Sequence, residues 1–346
     1  MGTQGKRGSS TIVVGLLALL VLLAVLALAG CGGSSTTASP SPSVEPSPVA
    51  ASSAPPSETP LPTPTVTGTI AFLKLRETAD NANGDIYIVN TDGTGLRRLT
   101  NDPHLEDHPA WSPDGRKIAY AQWRSNTSMA GNTIWVMNAD GSGKKQLTKG
   151  AVGAVWPEWS PDGKQIAFGR PESSGESIYV MNADGSGLKP VAGGPTSDDQ
   201  DKSSEYGGGM SWAPDGRILY LSAGEVFAVF PDGSGRAQLT QGADLGTFAM
   251  SPDGALFALE NSVRRLYVAP LQGSGDSVTL LDPVYDYMAD PWTIPTWSPD
   301  GKSLAISSNS LFGMTGSQLY IINADGSGLS QVPGIESAND AAWRPE

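Results

Sequence analysis

Hydrophobic positions along the 346 residues fall into three regimes. Residues 12–29 form an apolar run without a charged side chain, preceded by Lys6 and Arg7. Residues 32–67 are mostly Ser, Thr, Pro and Ala, with Glu45 and Glu58 the charged exceptions, and show no period. From residue 68 onward short alternating or continuous apolar segments recur, each bounded by Gly, Pro, Asp or Asn. Alternation places successive side chains on opposite faces of a strand, so this third regime predicts many short strands and no convincing amphipathic helix.

The strands repeat as a unit. One element is a large side chain, a small residue, Pro-Asp-Gly and then an apolar strand, as in Trp111-Ser112-Pro113-Asp114-Gly115 before Ile118. Its copies stand at Trp159, Trp212, Met250 and Trp297, with a shortened one at Trp343. The second element is a strand that runs into an Asx-rich turn, as in Ile134 to Gly141, with equivalents beginning at Ile86, Ile178, Val226, Leu266 and Leu319. Pro fixes φ, Asp bonds nearby backbone N–H groups, and Gly takes the positive φ that closes the reversal. Spacings of 38 to 53 residues between the Trp-type positions suit one propeller blade and are too short for a domain.

Each unit supplies strands A to D, and we expect an all-β fold: a six-bladed β-propeller of four-stranded blades. Ile70 to Leu73 fits a strand B that lacks its own strand A, and Ala341-Ala342-Trp343 is a strand A with no blade of its own. The C-terminal strand is therefore predicted to be the innermost strand that closes the ring. The repeated Trp residues, and Tyr87, Trp135, Tyr179, Phe227, Tyr267 and Tyr320 in strand C, are read as packing rather than as a ligand platform.

These repeats resemble those of TolB-like propellers and of the propeller domains of prolyl-oligopeptidase-like peptidases, over residues 68–345. The peptidases carry a separate catalytic α/β domain, which we do not expect in this chain. Leu28-Ala29-Gly30-Cys31 resembles the lipobox of bacterial lipoproteins. That resemblance implies a signal peptide over residues 1–30 and a Cys31 that becomes the lipidated, palmitate-bearing N-terminus, although the apolar run alone fits a retained anchor equally well. Residues 31–67 then form the lipidated Cys and a disordered, semi-extended tether, and residues 68–346 the propeller. The expected location is the cell membrane, with the propeller facing the periplasm or the exterior. One cysteine in the whole chain leaves no intramolecular disulfide to make.

A formal charge of −13 opposes a nucleic-acid role. Only His104 and His108 are available as imidazoles; they flank Glu106 and Asp107 between Pro103 and Pro109, which favours irregular chain over a helix that would align them. The Asp-Gly turns lack the length and closing Glu of a calcium loop. We expect no catalytic residue, metal or cofactor from the motifs. The long B to C and D to A connections share one face of a propeller and depart from the repeat, which is where binding residues gather. On them Trp156, Asp199, Asp201, Tyr206, Asp286, Tyr287, Asp290 and Trp292 form the candidate binding set, aromatic anchors beside acidic steering groups. The expected function is non-enzymatic binding of an envelope protein, peptide or glycan by a monomer; the rivals are a carbohydrate- or peptide-processing enzyme with its site in the channel, and an inert spacer.

Overall fold

The computed structural model describes residues 61–76, 83–124, 131–149, 153–172, 175–193, 209–261, 265–270, 278–281, 294–308 and 317–346. Twenty-four strands among them pair into six antiparallel sheets of four. The first sheet joins β1 (Thr69–Leu75), β2 (Gly84–Asn90) and β3 (Arg97–Arg98) to the last strand, β24 (Ala338–Trp343). The second holds β4 (Leu105–Trp111), β5 (Lys117–Trp123), β6 (Thr133–Asn138) and β7 (Lys145–Gln146). The third holds β8 (Val155–Trp159), β9 (Gln165–Glu172), β10 (Gly175–Asn182) and β11 (Lys189–Gly193). The fourth holds β12 (Met210–Trp212), β13 (Ile218–Ser222), β14 (Glu225–Val229) and β15 (Ala237–Gln238). The fifth holds β16 (Leu245–Met250), β17 (Leu256–Asn261), β18 (Leu266–Pro270) and β19 (Val278–Leu281). The sixth holds β20 (Thr296–Trp297), β21 (Ser303–Ser308), β22 (Gln318–Asn323) and β23 (Ser330–Gln331).

The innermost strands touch in the cycle β24, β4, β8, β12, β16, β20 and back to β24, which makes the six sheets a closed six-bladed propeller. Closure follows the sequence expectation: β24 pairs antiparallel with β1, setting Trp343 opposite Ile70 and Ala342 opposite Ala71. Leu61 and Val66, just before β1, also pack against the propeller's cores.

Six apolar cores sit between neighbouring blades, and strand alternation explains how. In β5, Ile118 and Tyr120 face the first blade with Ala71, Ile86 and Leu99, while Ala119 and Ala121 face the third with Trp159, Ile166 and Phe168. Both faces of such a strand are buried, so it reads as an apolar run rather than a clean alternation. Each core also receives one strand-C aromatic: Tyr87, Trp135, Tyr179, Phe227, Tyr267 or Tyr320. Three of the five repeated Trp bind blade to blade, while Nε1 of Trp159 and of Trp343 has no hydrogen-bond partner among the described residues. Trp111 Nε1 donates to Ala342 O at 3.2 Å, Trp212 Nε1 to Glu158 O at 3.1 Å and Trp297 Nε1 to Ala249 O at 3.1 Å. The acceptor is each time the residue just before the Trp-type position of the preceding blade.

The turns consume much of the acidic charge. Ser112 Oγ donates to Asp114 Oδ1 at 2.6 Å and Arg116 N donates to the same oxygen, while Gly115 takes φ +62° to complete the reversal. Asp162, Asp253 and Asp300 repeat this arrangement. In the C to D turns Asp92, Asp140, Asp184, Asp232 and Asp325 accept from a residue two further on. These hydroxyl and backbone donors hold all nine carboxyls below the usual range, and Asp162 at about 2. A carboxyl whose value is lowered by folding stabilises the fold above its unfolded value of about 3.9 and loses that contribution as pH falls through the folded one. The melting temperature should therefore decline between about pH 4 and pH 2. A melting temperature that holds constant over that interval would deny these turns their share of stability.

Candidate functional site

An innermost strand is paired on one edge only, so it can bulge without breaking a second ladder. Three consecutive inner strands do so. The ladder of β4 shifts between Asp107 and Ala110, that of β8 between Val155 and Glu158, and that of β24 between Asn339 and Ala342. The first residue of each shift has left-handed backbone: φ is +47° at His108, +53° at Trp156 and +48° at Asp340. All three stand three residues before their blade's repeated Trp. Residues other than glycine pay about 1 to 2 kcal/mol for this conformation. The fourth blade carries Gly209 at the same position, with φ +142°.

The bulges bring three side chains into one row across three blades. His108 Nε2 lies 3.6 Å from Asp340 Oδ1, and Nδ1 lies 3.1 Å from Asp107 Oδ2. On its other side the imidazole meets Trp156 edge to face, with ring centroids 5.9 Å apart and planes at 76°. His108 and Asp340 keep 20% and 18% of their side-chain surface, whereas residue Asp107 is 4% exposed.

Burial alone would depress the His108 imidazole, but Asp340 and Asp107, with Glu158 behind them, outweigh it and raise the group to about 9. Burial pushes Glu158 up to about 8, partly opposed by His108. Glu106, in the same strand as His108, is likewise raised to about 8 by burial, although Gln122 Nε2 donates to its Oε1 at 3.1 Å. Its Oε2 has no hydrogen-bond partner among the described residues. The row thus combines an imidazole, an indole and several carboxyl groups at the axial edge of the blades.

The sequence located this row incompletely. It placed His108 in irregular chain, not aligned with His104; the structure places it in the bulge of β4, facing Asp340. Pro109 does not exclude a strand there, because it sits in the bulge, outside the ladder, and need not donate. Trp156, expected on a loop, lies within β8 and half-buried. The other candidates, Asp199, Asp201, Tyr206, Asp286, Tyr287, Asp290 and Trp292, lie outside the described residues, as does Cys31. Asp107, Glu158 and Asp340 were not singled out as ligand groups. Aligning the repeats on their Trp and comparing the residue three positions before it gives Asp340, His108, Trp156, Gly209, Thr247 and Ile294, a column that reveals the row.

A second feature is a cavity of about 550 Å³ between the second and third blades on the tight-turn face, lined by Asp114, Lys117, Lys145, Trp159 and Asp162 among others. Its charged groups are engaged in the scaffold: the two aspartates close turns, Lys145 Nζ donates to Asp184 O and Lys117 Nζ to Asn138 Oδ1. Among the described residues, no helix is long and apolar enough to cross a membrane.

No protein-family model matches the sequence, and no curated protein matches it. Solved structures do. TolB from Acinetobacter baumannii is similar with a TM-score of 0.62 and 21% identity, covering 81% of this chain and 67% of that one. A putative TolB from Agrobacterium tumefaciens gives 0.54 and 16%, covering 80% and 92%. Oligogalacturonate lyase in complex with manganese gives 0.51 and 14%, covering 76% and 74%. At these identities the likeness is one of fold, a six-bladed β-propeller like that of TolB.

Proposed function

We propose that this chain is an exported lipoprotein of the cell envelope, held to the membrane through Cys31, whose propeller is a non-enzymatic binding module for a protein or peptide. The observation that carries the binding role is the strained row at the axis. Asp340, His108 and Trp156 adopt a backbone that favours glycine, at a position where Gly209 serves the fourth blade, so the scaffold does not require their side chains. Strain kept at side chains with binding chemistry is a mark of a functional site. The indole of Trp156 offers apolar area, and the carboxyl groups beside it favour a partner segment with basic residues. The sequence argument extends the contact to the irregular loops, with Trp292, Tyr287 and Tyr206 as further anchors and Asp199, Asp201, Asp286 and Asp290 steering the approach. A glycan is the alternative ligand for the same aromatic surface.

Crosslinking from intact cells, followed by mass spectrometry, identifies the partner. We expect crosslinks on the inner-strand row and the irregular face, and Trp156→Ala should weaken binding by about 2 kcal/mol, roughly thirtyfold, mainly through faster dissociation. Crosslinks confined to the Asp-Gly turns would place the contact on the opposite face and end the proposal. The enzyme alternative would draw on the same row, where the carboxyl of Glu158 and the imidazole of His108 stand on the adjacent inner strands β8 and β4. Turnover of glycan or peptide substrates, lost in Glu158→Gln, would select that reading.

A further inference from the structure

We propose that Asp107, His108 and Asp340 bind one divalent transition-metal ion of the zinc, cobalt or manganese type, between the closing strand β24 and the second blade. One donor atom from each of the three lies within 4.8 Å of the others. Asp107 and His108 come from β4 and Asp340 from β24, so the ion would clamp the closing strand to the second blade. The ion would share His108 and Asp340 with the row of the partner reading above, and its binding is measured without any partner.

Three features point to an ion rather than to side-chain pairing alone. The 3.6 Å between His108 Nε2 and Asp340 Oδ1 is too long for a hydrogen bond. It is close to the roughly 3.0 to 3.4 Å that separates two ligands each about 2.1 Å from a shared ion. Asp107 is 4% exposed and its Oδ2 lies 3.1 Å from His108 Nδ1, yet its Oδ1 has no hydrogen-bond partner among the described residues. A buried carboxylate oxygen left without a donor is destabilising, and a bound cation removes that penalty. The partial exposure of His108 and Asp340 leaves an entry path and a place for water as a remaining ligand.

The donor set selects the class of ion. An imidazole nitrogen with two carboxylates suits zinc, cobalt or manganese, whereas calcium and magnesium prefer an all-oxygen shell with more ligands. Three protein ligands with an open position make a site that can exchange its ion, in contrast to the closed four-ligand sites that hold zinc for life of the fold.

The test uses the full-length chain in detergent, stripped with a chelator and titrated with Co²⁺ as a spectroscopic probe and with Zn²⁺. One ion per chain is expected, with a visible Co²⁺ absorption band and a melting temperature that rises with Zn²⁺ concentration. His108→Asn and Asp340→Asn should each abolish the band and weaken Zn²⁺ binding about tenfold or more, while His104→Asn leaves both unchanged. Ca²⁺ and Mg²⁺ should bind at least about tenfold more weakly than Zn²⁺. Circular dichroism confirms that each variant is folded; because Asp107 is buried, the decision rests on the two more exposed ligands. Failure to bind stoichiometric Zn²⁺ at millimolar concentration overturns the site, as does wild-type affinity in His108→Asn, and equal affinity for Ca²⁺ overturns the nitrogen ligand.

Discussion

Truncation of the chain before Ala338 is expected to abolish cooperative unfolding of the propeller. The strand removed supplies the inner edge of the first blade: Trp343 and Ala342 leave the ladder with β1, and buried Ala338, Ala341 and Trp343 leave the core shared with the sixth blade. The contacts of β24 with β4 and β20 close the ring, and Arg344 adds bonds from its backbone N to Thr69 O and from Nε to Gly115 O. Deleting one buried Trp side chain costs about 3 to 5 kcal/mol. Exposing the ladder edge of β1 adds to this, and the sum approaches the roughly 5 to 15 kcal/mol that stabilises a whole domain. Deletion of residues 33–60, which precede the described fold, serves as the control and should leave the melting temperature within about a degree. Equal melting temperatures for the two deletions would mean that closure contributes nothing.

Much of the fold was legible because propeller turns are local chemistry. Pro-Asp-Gly and Asn-Ala-Asp-Gly announce their reversals within four residues, and counting strands between them showed a strand missing at one end and one spare at the other. The burial of both faces in strands such as β5 was also visible, as runs in which Ile, Ala and Tyr follow one another. The site was less legible because its determinants are not local. His108 meets Asp340 from the far end of the domain, and the left-handed backbone that aims both has no residue signature when the residue is not glycine. Local spacing offers only His104 as a neighbouring imidazole, and Pro103 and Pro109 argue against the helix that would align the two. Trp156 stands out as an indole outside the repeat; its place in the column that also holds Asp340 and His108 becomes evident once the repeats are aligned on their Trp.

The second large effect is expected at Trp111, the side chain that joins the second blade to the closing strand. It is 7% exposed and packs in the core with Ala71, Ile86 and Leu99 of the first blade. Its Nε1 donates to Ala342 O, and the guanidinium of Arg344 lies 5.3 Å from the ring centroid. Trp111→Ala removes all three contributions and should cost about 3 to 5 kcal/mol, the range for large-to-small changes at buried aromatics. Trp111→Phe keeps much of the apolar contact and loses the N–H donor, so about 1 to 2 kcal/mol is expected, while Ala342 keeps its place in the ladder opposite Ala71. For a domain of this size each kcal/mol moves the melting temperature by roughly 2 to 4 °C, which separates the two variants in a thermal scan. Trp297 is the control, since it makes the equivalent bond at an interior seam, between the fifth and sixth blades. If the ring unfolds as one unit, Trp297→Ala and Trp111→Ala lower a single transition by similar amounts. If the closing seam is the weaker one, Trp111→Ala alone splits the melt into two transitions, the first reporting release of β24. A Trp111→Ala protein that melts within a degree of the wild type would show that the inter-blade bond and its packing do not hold the ring.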